Sequence, residues 1–91
     1  MAIKDTTNCM GYQQITTVSS PIGLTPPFGA LKAIIVPEVS AIRWRDDGVD
    51  PTASIGMPVS AGAFFAYDGD LNSIKFIEVS AGVKLNVSYY R

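Results

Sequence analysis

The clearest pattern along the chain is an alternation near its C-terminus. Apolar or aromatic residues occupy the odd positions from 83 to 89, and mostly polar residues occupy the even positions from 84 to 90. A period of two places successive side chains on opposite faces of a β-strand. The same alternation occurs at 42–45 and at 74–77. All three segments are therefore predicted to be strands with one face in the core.

Two further segments are apolar without alternation. Residues 31–36 are apolar except for Lys32, and residues 63–67 are apolar throughout. Strands covered on both faces have this composition, so these segments are expected to be central strands or to form an intersubunit face. Short strands are also predicted at 12–18 and 22–24, and clusters of Gly, Pro, Asp and Ser separate all of these segments.

Seven or eight short strands joined by tight turns predict an all-β fold, either a small antiparallel β-sandwich or a jelly-roll. The chain has 17 Ile and Val residues but only four Leu, a bias that favours strands over helices. At most one helical turn is expected, at 50–55. The predicted core contains five residues that are apolar at alternating strand positions: Ile42, Trp44, Phe76, Leu85 and Val87.

The first eleven residues show no strand periodicity. We interpret residues 1–11 as an extended N-terminal arm that becomes ordered along a neighbouring molecule, and residues 12–91 as the β-domain. Lys4 and Asp5 interrupt the apolar stretch that an export signal would need, and no apolar run approaches the roughly 20 residues of a membrane span. The protein is therefore expected to be made in a cytoplasm.

The tripeptide Val-Ser-Ala occurs three times, at 39–41, 59–61 and 79–81. Its period of 20 residues would fit a repeated two-strand unit, but the segments between the copies share little sequence. We favour recurring turn chemistry over a structural repeat.

Composition limits the chemistry. The 91 residues include no histidine and one cysteine, which excludes a Ser-His-Asp triad, a Cys-His dyad, a zinc finger and an internal disulfide. No catalytic residue, cofactor or metal site is predicted, and the protein is not expected to be an enzyme. A net charge of -1 gives no basic surplus for nucleic acid or anionic lipid. The charged fraction of 16%, against about 25% in typical domains, favours assembly with other proteins.

Five of the eight acidic residues fall in two predicted turns, at 46–50 and 68–70. Calcium binding and a carboxylate pair for glycoside hydrolysis are the two chemical alternatives for these residues. Their spacing matches no calcium loop, and a chain this short offers little depth for a substrate cleft. Asp and Gly are also the residues that tight turns select, which is the interpretation we favour.

Several residues are candidates for a protein interface. Arg43 and Arg45 share one face of a predicted strand, where they could either bind carboxylates of a neighbouring subunit or form an ordinary salt-bridged surface. The adjacent aromatics at 64–67 and 89–90 cannot all point into one thin core, so some must face a partner or a carbohydrate. The predicted interface residues are Pro26, Pro27, Phe28, Arg43, Arg45, Phe65 and Tyr90.

From about Ser19 to Tyr90, four-fifths of its length, the chain resembles small phage-encoded proteins found among the structural genes of tailed phages and prophages. The resemblance is carried by Leu24-Thr25, Gly29-Ala30, Ile42-Arg43-Trp44-Arg45-Asp46-Asp47-Gly48, Pro51-Thr52-Ala53-Ser54, Gly56, Tyr67-Asp68-Gly69-Asp70-Leu71, Ile74, Phe76-Ile77 and Leu85-Asn86-Val87-Ser88-Tyr89-Tyr90.

This resemblance implies a virion component assembled in a bacterial host cytoplasm. The chain looks like a capsid decoration or cement protein that binds and stabilises the capsid lattice as an oligomer. Its expected partners are the major capsid protein, its own copies, or both. The alternative is a tail- or fibre-associated module that binds host-surface carbohydrate.

Overall fold

The computed structural model describes residues 8–91. This part of the chain forms eight β-strands and contains no helix, which confirms the all-β prediction. The strands are β1 (Cys9–Ile15), β2 (Ile22–Gly23), β3 (Lys32–Glu38), β4 (Ile42–Arg45), β5 (Met57–Val59), β6 (Phe65–Tyr67), β7 (Lys75–Glu78) and β8 (Lys84–Tyr90).

The strands build two antiparallel four-stranded sheets, in the orders β1-β8-β3-β6 and β2-β7-β4-β5. The antiparallel strand pairs are nested along the chain, from β4·β5 innermost through β3·β6 and β2·β7 to β1·β8. The eight strands thus follow the path of one long hairpin that is folded into two layers. Among the connections between these strands, only β4–β5 stays within one sheet. This is the strand order of an eight-stranded jelly-roll, the second of the two predicted architectures.

Alternating residues of the paired strands β3 and β8 fill the core. In β8 the residues Leu85, Val87 and Tyr89 are buried, and in β3 the buried positions include Ala33 and Ile35. Ile42 and Phe76 close the core from the second sheet and are completely buried. Four of the five predicted core residues are therefore confirmed.

Trp44 is the exception, because it is only half-buried. It lies on the side of the sandwich where β5 and β6 form the sheet edges, and these two strands have only three residues each. Such short edge strands cannot enclose an indole, so Trp44 packs against the core without lying inside it.

The predicted strands differ from the structure in several places: β5 was not predicted, and β1 ends at Ile15 rather than at residue 18. Strand β1 begins at Cys9 rather than at residue 12, because residues 9–11 pair with the end of β8 across a register shift. The predicted arm is shortened accordingly, and its residues 1–7 lie outside the described part of the chain. The apolar run at 63–67 does not form a central strand: it supplies an edge strand, β6, which among the described strands pairs only with β3. Its alternative role in an intersubunit face remains a prediction.

Pro37 explains why β6 is so short. It occupies a buried position in β3, two residues beyond the last β6 pair at Ile35. Because proline has no N–H, β3 cannot continue the ladder toward β6 at this point. The Pro37 carbonyl instead accepts a hydrogen bond from the Gly62 N–H at 2.8 Å.

The three Val-Ser-Ala copies lie at the same end of the sandwich. Each accompanies a connection from one sheet to the other: β3 to β4, β5 to β6, and β7 to β8. Neighbouring connections are tied together, since the Val79 N–H donates to the Ala41 carbonyl at 3.0 Å. The copies thus share a turn role, in agreement with the interpretation as turn chemistry.

The first copy carries backbone strain. Val39 has a φ of 81°, in the left-handed region that a β-branched residue rarely adopts, and its side chain is 70% exposed. Val79, at the same position of the third copy, does not have a positive φ.

We therefore expect Val39→Gly to stabilise the fold, although glycine normally weakens it. Relief of the left-handed strain at Val39 should stabilise the fold by about 1–2 kcal/mol. The greater conformational freedom of glycine in the unfolded chain costs about 0.5–1 kcal/mol, which is less. Val79→Gly is the matched control and should destabilise the fold, because it adds conformational entropy to the unfolded chain without relieving strain in the folded one. Urea unfolding measures both; a Val39→Gly variant as destabilised as Val79→Gly would contradict the assignment of strain.

Candidate protein-interaction surface

The most exposed large apolar side chain of the described residues is Phe28, at 101% relative exposure. It lies in a β-turn closed by a hydrogen bond from the Ala30 N–H to the Pro27 carbonyl at 3.1 Å. Gly29, at the third position of the turn, has a φ of 90°, which is the requirement of a type II turn. The sequence Pro-Phe-Gly thus fixes the backbone and holds the Phe28 ring in solvent.

The turn is fastened to β8 on both sides. The Leu31 N–H donates to the Tyr90 carbonyl at 2.8 Å, and the Thr25 N–H donates to the Tyr89 hydroxyl at 3.2 Å. The Tyr89 hydroxyl in turn donates to the Gln13 side chain in β1. Burial raises the pKa of Tyr89, so the hydroxyl remains a neutral donor.

A cleft of about 630 Å³ separates this turn from the loop at 68–72. Its apolar wall includes Phe28 and Leu31, and Leu31 is 63% exposed. A smaller hollow beyond Leu31 is lined by Lys32, Asp68 and Arg91. We call the cleft and this hollow together the Phe28 surface: exposed apolar side chains with charges at the edge, as protein interfaces have.

Four of the seven predicted interface residues lie at this end of the molecule. Pro26, Pro27 and Phe28 line the cleft, and half-buried Tyr90 is joined to it through its backbone contact with Leu31. The pattern at 31–36 did not reveal Leu31 as a surface residue, because it precedes the strand and does not follow the alternation of β3. The sequence signal that could have identified Leu31 as a surface residue is its position directly after the turn at 27–30.

Arg43 and Arg45 lie elsewhere and have partners within the chain. Arg43 donates to the carbonyls of Ala53 and Gly56 at 3.1 and 2.8 Å, which fastens the β4–β5 loop to the outside of the sheet. Arg45 forms a two-bond ion pair with Asp47, and this contact lowers the pKa of the Asp47 carboxyl. Arg45 agrees with the salt-bridged alternative, whereas Arg43 contacts backbone carbonyls and no carboxylate. Contact of either arginine with a neighbouring subunit remains a prediction.

The loop held by Arg43 contains the predicted helical turn at 50–55, which does not form. Thr52 and Ile55 exchange backbone hydrogen bonds at 2.8 and 3.2 Å, and the Thr52 hydroxyl accepts the Ser54 and Ile55 N–H groups. Side-chain acceptance of these donors replaces the helical pattern.

Phe65 belongs to an aromatic group between the two sheets. Its ring stacks on Trp44 with centroids 4.9 Å apart, and Tyr67 meets Trp44 edge-on at 5.8 Å. Phe65 is half-buried in this group, so it contributes to packing between the sheets in addition to any interface role.

Carboxylates in both aspartate-rich turns accept hydrogen bonds from other groups of the chain. Asp70 accepts the Asn72 N–H and the Ser73 hydroxyl, which lower its pKa, and Asp46 accepts the Tyr67 hydroxyl at 2.7 Å. Within residues 8–91, no three His, Cys, Asp or Glu side chains lie close enough to hold a metal ion.

The same part of the chain has no helix of the length and apolarity required to cross a bilayer. Comparisons with protein-family models, curated proteins and solved structures find no match to this chain.

The Tyr67 contact predicts a pH effect. Burial and the hydrogen bond to Asp46 raise the Tyr67 pKa to about 12, above its value of about 10 in an unfolded chain. The stability that Tyr67 contributes is therefore fully present below about pH 10 and is lost as the pH rises toward 12. The stability difference between wild type and Tyr67→Phe should shrink over this range in urea titrations. Tyr89 is present in both proteins, so its titration does not affect the difference in stability between them. A stability difference that stays constant over this pH range would contradict the prediction.

Gly69 provides a test at neutral pH. A Cβ atom on Gly69 would clash with the Tyr67 hydroxyl oxygen and lie 2.6 Å from its ring. Because Tyr67 is buried against Trp44, we expect Gly69→Ala to cost about 1–3 kcal/mol. Gly11→Ala is the control, since its Cβ would meet Pro27 at an ordinary 3.7 Å. Equal melting temperatures for the two variants would show that the Tyr67 ring moves freely.

Proposed function

We propose that this chain is a structural component of a bacteriophage virion, a capsid decoration protein that attaches through the Phe28 surface. Its partners are the major capsid protein and further copies of itself. The observation that carries the proposal is Phe28, fully exposed on a turn that Pro27 and Gly29 make rigid. Burial of such a ring on docking releases water at little conformational cost, because its backbone is already ordered.

Two further observations support this proposal. Residues that carry the resemblance to phage structural proteins lie around the site, since Gly29-Ala30 belong to the turn and residues 68–71 belong to the facing loop. The jelly-roll is also a common architecture of viral capsid domains, which is an analogy of fold and not of site.

A tail- or fibre-associated module that binds host-surface carbohydrate is the second candidate. The observation that favours it is half-buried Trp44, which lies beside the charged side chains of residues 45–47. Lectin domains use the jelly-roll as well, so the fold does not separate the two candidates.

The test is co-sedimentation with phage particles that lack this protein. We expect the full chain to bind, and Phe28→Ser to bind roughly 10- to 30-fold more weakly, as aromatic residues at the centre of interfaces do. Phe28→Ser should keep its melting temperature, because the ring makes no core contact.

Val49→Ser is the matched control, since Val49 is exposed but lies in the β4–β5 loop. Equal occupancy by wild type and Phe28→Ser would remove the Phe28 surface from the mechanism. Failure of the wild-type chain to bind capsids, together with its recovery on tails or fibres, would overturn the capsid assignment.

A further inference from the structure

A second cleft, of about 520 Å³, opens at the end of the β4–β5 hairpin. Its apolar lining comes from Trp44, Ile55 and Met57, and its charged lining from the three residues that follow Trp44: Arg45, Asp46 and Asp47. We call it the Trp44 cleft.

The apolar side of the cleft is partly exposed and fixed in position. Ile55 and Met57 are both more than half exposed. Trp44 is held by its stack on Phe65 and by the edge of Tyr67, so the indole does not have to be ordered when a ligand arrives.

The charged side is fixed as well. The Arg45 Nε and Nη2 atoms donate to Asp47, which leaves the Arg45 Nη1 group as a donor. Asp46 Oδ2 accepts the Tyr67 hydroxyl, and no group of residues 8–91 donates to Asp46 Oδ1. The rim thus presents a hydrogen-bond donor and an acceptor held by their neighbours, next to an indole.

We propose that the Trp44 cleft is a binding site for one pyranose ring of a neutral saccharide. The C–H face of the sugar packs on Trp44 and Met57, and its hydroxyls accept from Arg45 and donate to Asp46. Hydroxyl groups suit this rim because each of them can both donate and accept. The volume is within the range of small-molecule sites, so the cleft has room for one ring.

Other occupants match the cleft less well. A buried apolar side chain from a partner would leave the free Asp46 oxygen and the Arg45 donor without water or a hydrogen-bond partner, which is costly. A cationic side chain would meet Asp46 but would also lie beside the Arg45 guanidinium. This proposal rests on the second candidate function, carbohydrate binding beside Trp44. It does not depend on capsid attachment, because the residues that line the Trp44 cleft differ from those of the Phe28 surface.

Trp44 is the single tryptophan of the chain, so its fluorescence reports directly on the cleft. The full-length protein is titrated with methyl pyranosides of glucose, galactose, mannose and N-acetylglucosamine. We expect a saturable change with at least one of them and a Kd on the order of 1 mM, the affinity typical of a ligand with about a dozen heavy atoms. Asp46→Asn should weaken this binding about tenfold or more, because the Asn amide replaces the free acceptor oxygen while its carbonyl can still accept from Tyr67.

Asp50→Asn is the matched control, since Asp50 belongs to the same loop but does not line the cleft. Its Kd should equal that of wild type, and melting curves verify that both variants are folded. The absence of a saturable change with any pyranoside would overturn the proposal, as would equal weakening by the two variants. A saturable change with methylguanidinium instead would assign the cleft to a cationic side chain.

Discussion

Strand β8 is the element on which the rest of the structure depends. It pairs along its whole length with β3 and along most of it with β1, so the first and the last of the described strands are neighbours in one sheet. Its alternation sends Leu85, Val87 and Tyr89 into the core. The last of these carries a hydroxyl that reaches the segment before the Phe28 turn, and the Tyr90 carbonyl takes the N–H that follows that turn. The strand that fills the core therefore also positions the most exposed apolar side chain of the described residues.

The local alternation of β8 made this strand predictable from sequence, together with the burial of Ile42 and Phe76. Features that depend on distant residues were not predictable. Trp44 follows the alternation of β4, but its burial is limited by how short β5 and β6 are, and β6 stops where Pro37 of another strand lacks an N–H. Val39 has a left-handed φ that Val79 of the same tripeptide does not adopt, although both lie in connections between the sheets, so the tripeptide alone does not determine it. For Trp44 and β6, the length and composition of other strands override the local pattern.

Arg43 and Arg45 give a second example of what could not be predicted from the sequence. Their spacing placed Arg43 and Arg45 correctly on one face of β4, but spacing could not reveal that the β4–β5 loop folds back to meet them. Arg43 donates to carbonyls ten and thirteen residues away, and Arg45 pairs with Asp47 rather than with the adjacent Asp46. The Pro-Pro-Phe-Gly turn was easier to interpret, because glycine at its third position favours a type II turn locally, and hydrogen bonds to β8 then hold that turn in place. The conformation of this turn was thus easier to predict than the partners of the arginines, which come from a loop.

The two candidate binding sites are connected through Tyr67. Its hydroxyl contacts Asp46, which lines the Trp44 cleft, and the residues directly after it form the loop that faces Phe28. Gly69 in that loop lies so close to the Tyr67 ring that no larger residue fits without movement. One buried aromatic therefore sets the position of a wall of each cleft. Because this contact is made within the chain before any partner arrives, neither site has to pay the ordering entropy that a flexible loop would require on binding.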